Sequence, residues 1–129
     1  MADMQSGLVC SWGRYYITCR DEYKGIYIDA IEGYNIRLLG AYYGFTRGED
    51  GMYIITDCYT GTRITDKQLD RKYSLVAAYR ALKEFISNNM AMIEKYRASR
   101  VHRESAAMIR EAYWRDLAKA TGGKTNVDA

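Results

Sequence analysis

The sequence contains no proline, a single histidine and only three cysteines among its 129 residues. Cys10, Cys19 and Cys58 form no Cys-x-x-Cys pair, and His102 stands apart from all three. A zinc site of the ordinary kind needs four nitrogen or sulfur ligands at short spacing, so we expect no metal site. An odd number of unpaired cysteines is typical of free thiols in a reducing compartment, packed as small apolar side chains.

Long apolar runs are also missing. None approaches the roughly 18 residues that a membrane-spanning helix requires, so we expect no contact with a membrane. The first five residues, Met-Ala-Asp-Met-Gln, carry neither the basic nor the apolar region of a signal peptide. These two absences predict a cytoplasmic protein.

Motifs for catalysis or phosphate binding are absent as well. Neither G-x-x-x-x-G-K-[ST] nor G-x-G-x-x-G occurs. His102 would have to be the base of any nucleophilic site, but it stands among arginines, where a neutral base is harder to maintain. Glu49 and Asp50 lie between glycines, a setting typical of a solvated turn. We therefore expect no catalytic residue, no cofactor and a function other than catalysis.

Tyrosine is the residue in excess, with thirteen copies, nine of them before residue 65. Residues 8–64 read as an antiparallel β meander of about five strands. Its clearest part runs from Ile36 to Ile64, where aromatic and β-branched runs alternate with glycine-containing turns at 46–51 and 57–61. Earlier turns are predicted at 20–25 and 32–35. The tyrosines fit either amphipathic faces of this sheet or a surface on which bases stack.

Residues 66–120 read as a helical part, because no glycine occurs between Gly61 and Gly122. Residues 65–68 fit a capping box, and Ser74 is a second candidate N-cap. Apolar residues then recur every three or four positions up to residue 96, and a second helix is predicted at 105–120. Residues 97–104 between them are a tight connection with Ser99 as N-cap, or else a bend in one helix. Residues 121–129 read as a tail.

The sequence thus predicts a single α+β domain over residues 1–129, with a β meander followed by two C-terminal helices. Both helices carry wide apolar stripes, which one small sheet cannot cover completely. Phe85 and Met92 in particular lie to one side of the main stripe. We therefore expect a homodimer formed through residues 75–117.

The net charge of +3 is unevenly distributed. Residues 1–68 carry seven Lys and Arg against nine Asp and Glu, whereas residues 69–129 carry twelve against seven. The helical part therefore favours an anionic partner, although a solvated helix face has the same composition. Arginines can bind phosphate, aromatic rings can stack on a base, and asparagine can pair with an adenine edge. The candidate ligand-binding residues are Arg63, Phe85, Asn89, Arg103, Arg110 and Trp114.

A three-stranded sheet followed by a helix also resembles the small sheet-based DNA-binding domains of mobile-element integrases. The basic residues available on the sheet are Arg14, Arg37, Arg47 and Arg63. Non-specific DNA affinity depends on neutralising phosphates, and the excess of acidic residues in the sheet half counts against this alternative.

In its layout, the chain from about Leu8 to Ala120 resembles the phage anti-Thoeris sponge proteins that sequester cyclic ADP-ribose signals. The resemblance implies a dimer whose pocket combines aromatic, asparagine and arginine side chains and performs no catalysis. Phe85, Asn89, Arg103, Arg110 and Trp114 are the residues of the right type for such a pocket. The alternative is an anti-CRISPR-type protein that inhibits a host defence protein directly.

Overall fold

The structure, a computed structural model, describes residues 10–120 and gives the backbone alone at positions 101 and 120. Residues 1–9 and the predicted tail at 121–129 lie outside the described residues. The elements in chain order are β1 (Cys10–Asp21), β2 (Gly25–Leu38), β3 (Ala41–Arg47), β4 (Tyr53–Asp57), β5 (Thr62–Arg63), a 3₁₀ helix (Lys67–Leu69), α1 (Leu75–Asn88), α2 (Met90–Ala98) and α3 (Arg100–Ala120). The expected α+β class, an antiparallel sheet followed by helices, is confirmed.

The five strands form one antiparallel sheet in chain order. The sheet curls so far that β1 reaches the turn between β4 and β5. There the Thr18 N–H donates to the Gly61 carbonyl at 2.8 Å, and the Thr18 hydroxyl donates to the Thr60 carbonyl at 2.7 Å. Gly61 has a φ of +72°, and a Cβ at this position would press on Thr18 and on Ile109 of α3. The two edges of the sheet and one helix therefore meet at a single glycine.

The predicted turn at residues 32–35 is wrong, because β2 continues through this segment to Leu38. The chain reverses instead at Leu39 and Gly40, which both have positive φ, as a two-residue type I′ hairpin requires. Gly33 serves a different purpose. A Cβ there would overlap the Phe45 carbonyl, so this glycine permits a close approach within the sheet and does not form a turn.

The prediction of two helices is also wrong, since the described residues contain three α-helices. The first break is at Asn89, whose side-chain amide donates to the Phe85 carbonyl at 2.8 Å. The second is at Ser99, which is extended between α2 and α3. The expected connection over 97–104 is thus a single residue. Neither break uses glycine or proline, the residues on which the prediction depended.

Side-chain N-caps mark the start of α1 and of the 3₁₀ helix. Ser74 accepts a hydrogen bond from the Ala77 N–H and caps α1, as predicted. At the predicted capping box of residues 65–68, the cap is Asp66, which accepts from the Gln68 N–H and begins the 3₁₀ helix. No helix within residues 10–120 is both long enough and apolar enough to cross a membrane.

The main core lies between the sheet and α1. It contains Ile36, Leu38, Tyr43, Phe45, Ile55, Leu69, Ala78, Tyr79, Leu82, Phe85 and Ile86. Phe85, which we expected to need cover from a second chain, is only 7% exposed within this one. Met92 is 53% exposed, and α2 has no buried residue. A smaller cluster of Tyr16, Ile109 and Ala112 fixes α3 to the sheet.

Candidate functional site

The candidate site, which we call the central groove, is a cavity of about 600 Å³ bounded by the sheet, α2 and α3. Residues from six regions of the chain converge on it, because the sheet curls toward α3. Its lining consists of Arg14, Asn35, Gly40, Ala41, Tyr42, Cys58, Tyr59, Arg97, Ile109, Arg110 and Tyr113. Three arginines, three tyrosines and one asparagine therefore face a common space. The volume lies within the usual range for small-molecule sites.

A buried ion pair fixes one side of the central groove. Arg97 of α2 donates from Nε to Asp57 Oδ2 at 2.8 Å and from Nη2 to the Tyr43 hydroxyl at 2.9 Å. The Asp57 side chain is 3% exposed, and its Oδ1 also accepts from the Tyr59 N–H. Burial alone would lower the pKa of Arg97, but the bond and the charge of Asp57 outweigh burial and raise it. Arg97 is therefore permanently charged and held in one position.

A second ion pair lies where β1 meets α3. Arg14 Nη2 is 3.3 Å from Asp116 Oδ2, and both side chains are well exposed. The Tyr16 hydroxyl donates to the same carboxylate. Burial, followed by the bond to Asp116, raises the pKa of Tyr16, so this hydroxyl keeps its proton at neutral pH. Arg14 also donates from Nη2 to the Tyr16 hydroxyl at 3.5 Å, so Arg14, Tyr16 and Asp116 contact one another.

Arg110 differs from the other two arginines. It lies on the exposed face of α3, one residue after the buried Ile109 that anchors the helix. Among residues 10–120, Arg110 forms no salt bridge and no side-chain hydrogen bond. Its five N–H donors are available to an anion in the groove.

Aromatic rings form the walls. Tyr42 is 57% exposed and Tyr59 46%, so each presents ring surface to the groove. Tyr113 packs edge-on against Tyr16 at 4.9 Å between ring centroids, and burial raises its pKa to about 12. The guanidinium of Arg97 lies 6.0 Å from the centre of the Tyr59 ring. Flat rings beside fixed guanidinium groups can stack on a planar aromatic ligand.

The lining thiol is unreactive at neutral pH. Burial, with the charge of Asp57 as a smaller cause, raises the pKa of Cys58 to about 12. A thiol is nucleophilic only as thiolate, so Cys58 contributes packing to the groove. The only histidine lies elsewhere, with His102 Nδ1 2.6 Å from the Ser99 hydroxyl. This contact joins two side chains across the first turn of α3.

The six predicted ligand-binding residues do not form one site. Arg110 lines the central groove, whereas Arg63 and Phe85 line a smaller cavity of about 150 Å³ beside α2. The Asn89 side chain donates to the Phe85 carbonyl at the end of α1. Arg103 and Trp114 lie on the exposed surface of α3, and neither is among the residues that line these two cavities. Their role in ligand binding stays a prediction.

Several residues of the central groove are not among these six candidates. They are Arg14, Asn35, Tyr42, Tyr59, Arg97 and Tyr113. The excess of tyrosine in the first half was a signal for the aromatic walls, but nothing in the sequence indicated which rings would share one cavity.

Comparison with protein-family models, with curated proteins and with solved structures found no match for this chain. The central groove is therefore interpreted from its own chemistry.

Proposed function

We propose that the protein binds a cyclic nucleotide without catalysis in the central groove and thereby sequesters it. The observation that carries this proposal is the convergence of three arginines, three tyrosines and an asparagine on one cavity of about 600 Å³. An aromatic base and a phosphate are the two chemical groups that such a lining recognises together.

The base would stack against Tyr42 or Tyr59, whose rings are half-exposed in the free protein. Stacking of a base on an aromatic side chain contributes about 1–3 kcal/mol. The Asn35 amide, which also lines the groove, offers a donor and an acceptor to a base edge.

The phosphate would bind Arg110, because the other two arginines already have carboxylate partners. The protonated thiol of Cys58 supports binding without a covalent step. Sequestration of a cyclic nucleotide immune signal, which the resemblance to anti-Thoeris sponge proteins implies, is the biological role we propose. On this proposal the protein is a phage or mobile-element counter-defence protein that acts in the cytoplasm of the host.

We include a homodimer in this proposal. Met90, Met92 and Tyr96 on α2 are each at least 42% exposed, which supports an apolar contact with a second chain.

Isothermal titration calorimetry at about 50 μM protein tests the proposal, because this concentration detects micromolar affinity. The panel contains cyclic ADP-ribose isomers, cyclic mononucleotides and cyclic dinucleotides. We expect saturable binding of at least one, recovery of the intact ligand after denaturation, and loss of binding in Arg110→Gln. Arg115→Gln, the same change on an exposed α3 arginine outside the groove lining, is the matched control. Absence of heat with every member would refute the proposal.

A second candidate function is direct inhibition of a host defence protein, as in anti-CRISPR-type proteins. The observation in its favour is the exposure of large aromatic side chains, including Trp12 at 62%, Tyr23 at 90% and Trp114 at 70%. Tyr and Trp are enriched at binding hot spots. A stoichiometric host partner that is captured by the wild type and lost in Trp114→Ala would favour this function over nucleotide binding.

A further inference from the structure

We propose that the central groove selects ligands with a single negative charge, such as a 3′,5′-cyclic mononucleotide, over ligands with two or more. This inference rests on the proposed function and narrows it to one class of ligand. Its basis is the charge balance of the groove.

Two of the three arginines in the lining have a neutralising partner. Arg97 is paired with Asp57 at 2.8 Å, and Arg14 is paired with Asp116 at 3.3 Å. Within the described residues, Arg110 has none. The groove with its partners therefore carries one uncompensated positive charge.

The two carboxylates stay in place when a ligand enters. Asp57 is buried and is also held by the Tyr59 N–H. The Arg14–Asp116 pair is exposed and weak by itself, so an anion could draw Arg14 toward it. Asp116 would still be bonded to the Tyr16 hydroxyl, and its negative charge would remain at the rim.

The neighbouring charged residues lie outside the lining of the groove. Glu32 lies opposite Arg14 in the β1–β2 register, and Arg37 lies opposite Tyr42 in the β2–β3 register, but neither residue lines the groove. On α3, Glu111 and Arg115 form a pair with each other at 3.7 Å. Arg103 is two helical turns before Arg110, about 10 Å along the axis, a distance over which salt screens exposed charges.

A second negative charge on the ligand would have no free cation in the lining of the groove to pair with. It would lie beside Asp116 or compete with a carboxylate already paired, and like charges at short range repel. A cyclic ADP-ribose isomer or a cyclic dinucleotide carries two phosphates and meets this penalty. A ligand with one phosphodiester and one base can bind Arg110 through its phosphate and stack its base on one tyrosine ring of the groove.

The test is a series of ligands that share a base and differ in charge. Adenosine, 3′,5′-cyclic AMP, AMP and cyclic di-AMP are titrated at pH 7.5 by calorimetry, and the guanine series is run in parallel. For at least one base, we expect the cyclic mononucleotide to bind at least tenfold more tightly than the nucleoside, the monophosphate or the cyclic dinucleotide. Its affinity should fall with salt as expected for a single ionic contact.

Two variants test the cause of this preference. Arg110→Gln should reduce the affinity for the cyclic mononucleotide to that of the nucleoside. Asp116→Asn keeps an oxygen to accept from Tyr16 but removes the charge at the rim. It should raise the affinity for AMP and cyclic di-AMP about tenfold, with a smaller change for the cyclic mononucleotide. Arg115→Gln should change none of these affinities, and thermal unfolding of each variant confirms that it is folded.

Tighter binding of AMP or cyclic di-AMP than of the cyclic mononucleotide by the wild type would overturn the inference and leave the proposed function standing. Equal binding of nucleoside and cyclic mononucleotide would overturn it as well. Absence of binding by any ligand of either series or of the wider panel would refute both.

Discussion

The Arg97→Met substitution tests whether the buried ion pair holds α2 against the sheet. Methionine keeps most of the aliphatic length of arginine but removes both hydrogen bonds, to Asp57 at 2.8 Å and to Tyr43 at 2.9 Å. Asp57, 3% exposed, would then be a buried carboxylate without a cation. Removing one partner of a buried pair costs about 3–5 kcal/mol. Because the Arg97 side chain is 23% exposed and water can partly replace it, we expect a cost of about 3 kcal/mol.

Urea unfolding at pH 7, followed by circular dichroism, measures this cost. A loss of this size should also lower the melting temperature by roughly 10 °C. The matched control is Arg115→Met, because Arg115 pairs with Glu111 on the exposed surface of α3. It should cost less than about 0.5 kcal/mol.

A double-mutant cycle separates the pair from the packing of Arg97. Asp57→Asn keeps a side-chain oxygen for the Tyr59 N–H but removes the negative charge. In this background Arg97→Met should cost about 2 kcal/mol less than in the wild type. If Arg97→Met costs no more than Arg115→Met, water already solvates Asp57 and the reasoning is wrong.

Three further predictions concern the thiol, the curled sheet and the assembly. The free energy of unfolding should fall as pH rises above 9, because the Cys58 thiol ionises near 9.0 when unfolded but near 12 when folded. The midpoint of urea unfolding should therefore fall less steeply with pH in Cys58→Ala than in the wild type. Equal slopes would show that Cys58 is not the cause. Gly44→Ala should cost about 3 kcal/mol in urea unfolding, because its Cβ would overlap the Tyr15 ring, whereas Gly13→Ala, whose Cβ meets only an ordinary 3.5 Å contact, should cost less than about 1 kcal/mol. In sedimentation, the wild type should run as a dimer and Met92→Glu as a 14.9 kDa monomer, and a monomeric wild type would show that α2 is not an interface.

Local patterns in the sequence were sufficient for the class and for most of the strands. Runs of aromatic and β-branched residues predicted β3 and β4, and the glycine-rich segments after them are turns. Ser74 predicted the start of α1. These features depend on residues within a few positions of one another, so a sequence pattern can report them.

The same patterns failed at Gly33 and at the two breaks between the helices. Glycine is typical of turns, yet Gly33 lies inside β2, where the Phe45 carbonyl of the next strand approaches it closely. Asn89 follows α1 and donates from its side chain to the Phe85 carbonyl, and the extended backbone of Ser99 ends α2. Neither residue type is a strong helix breaker. The position of Gly33 depends on a contact with another strand, which a local pattern does not contain. The breaks at Asn89 and Ser99 are local, and the prediction missed them because it depended on glycine and proline.

The sequence by itself determined the α+β class, the order of sheet and helices, the abundance of tyrosine and the net positive charge of the helical half. Only the tertiary structure decided which of these residues meet. Thr18 and Gly61 join the sheet edges, and this closure brings Arg14 and Tyr59 to the same groove as Arg110 of α3. It also decided which arginines are neutralised, because Asp57 and Asp116 lie 40 and 102 residues from their partners. Charge in a sequence is a sum, whereas charge in a cavity depends on distances that exist only after folding.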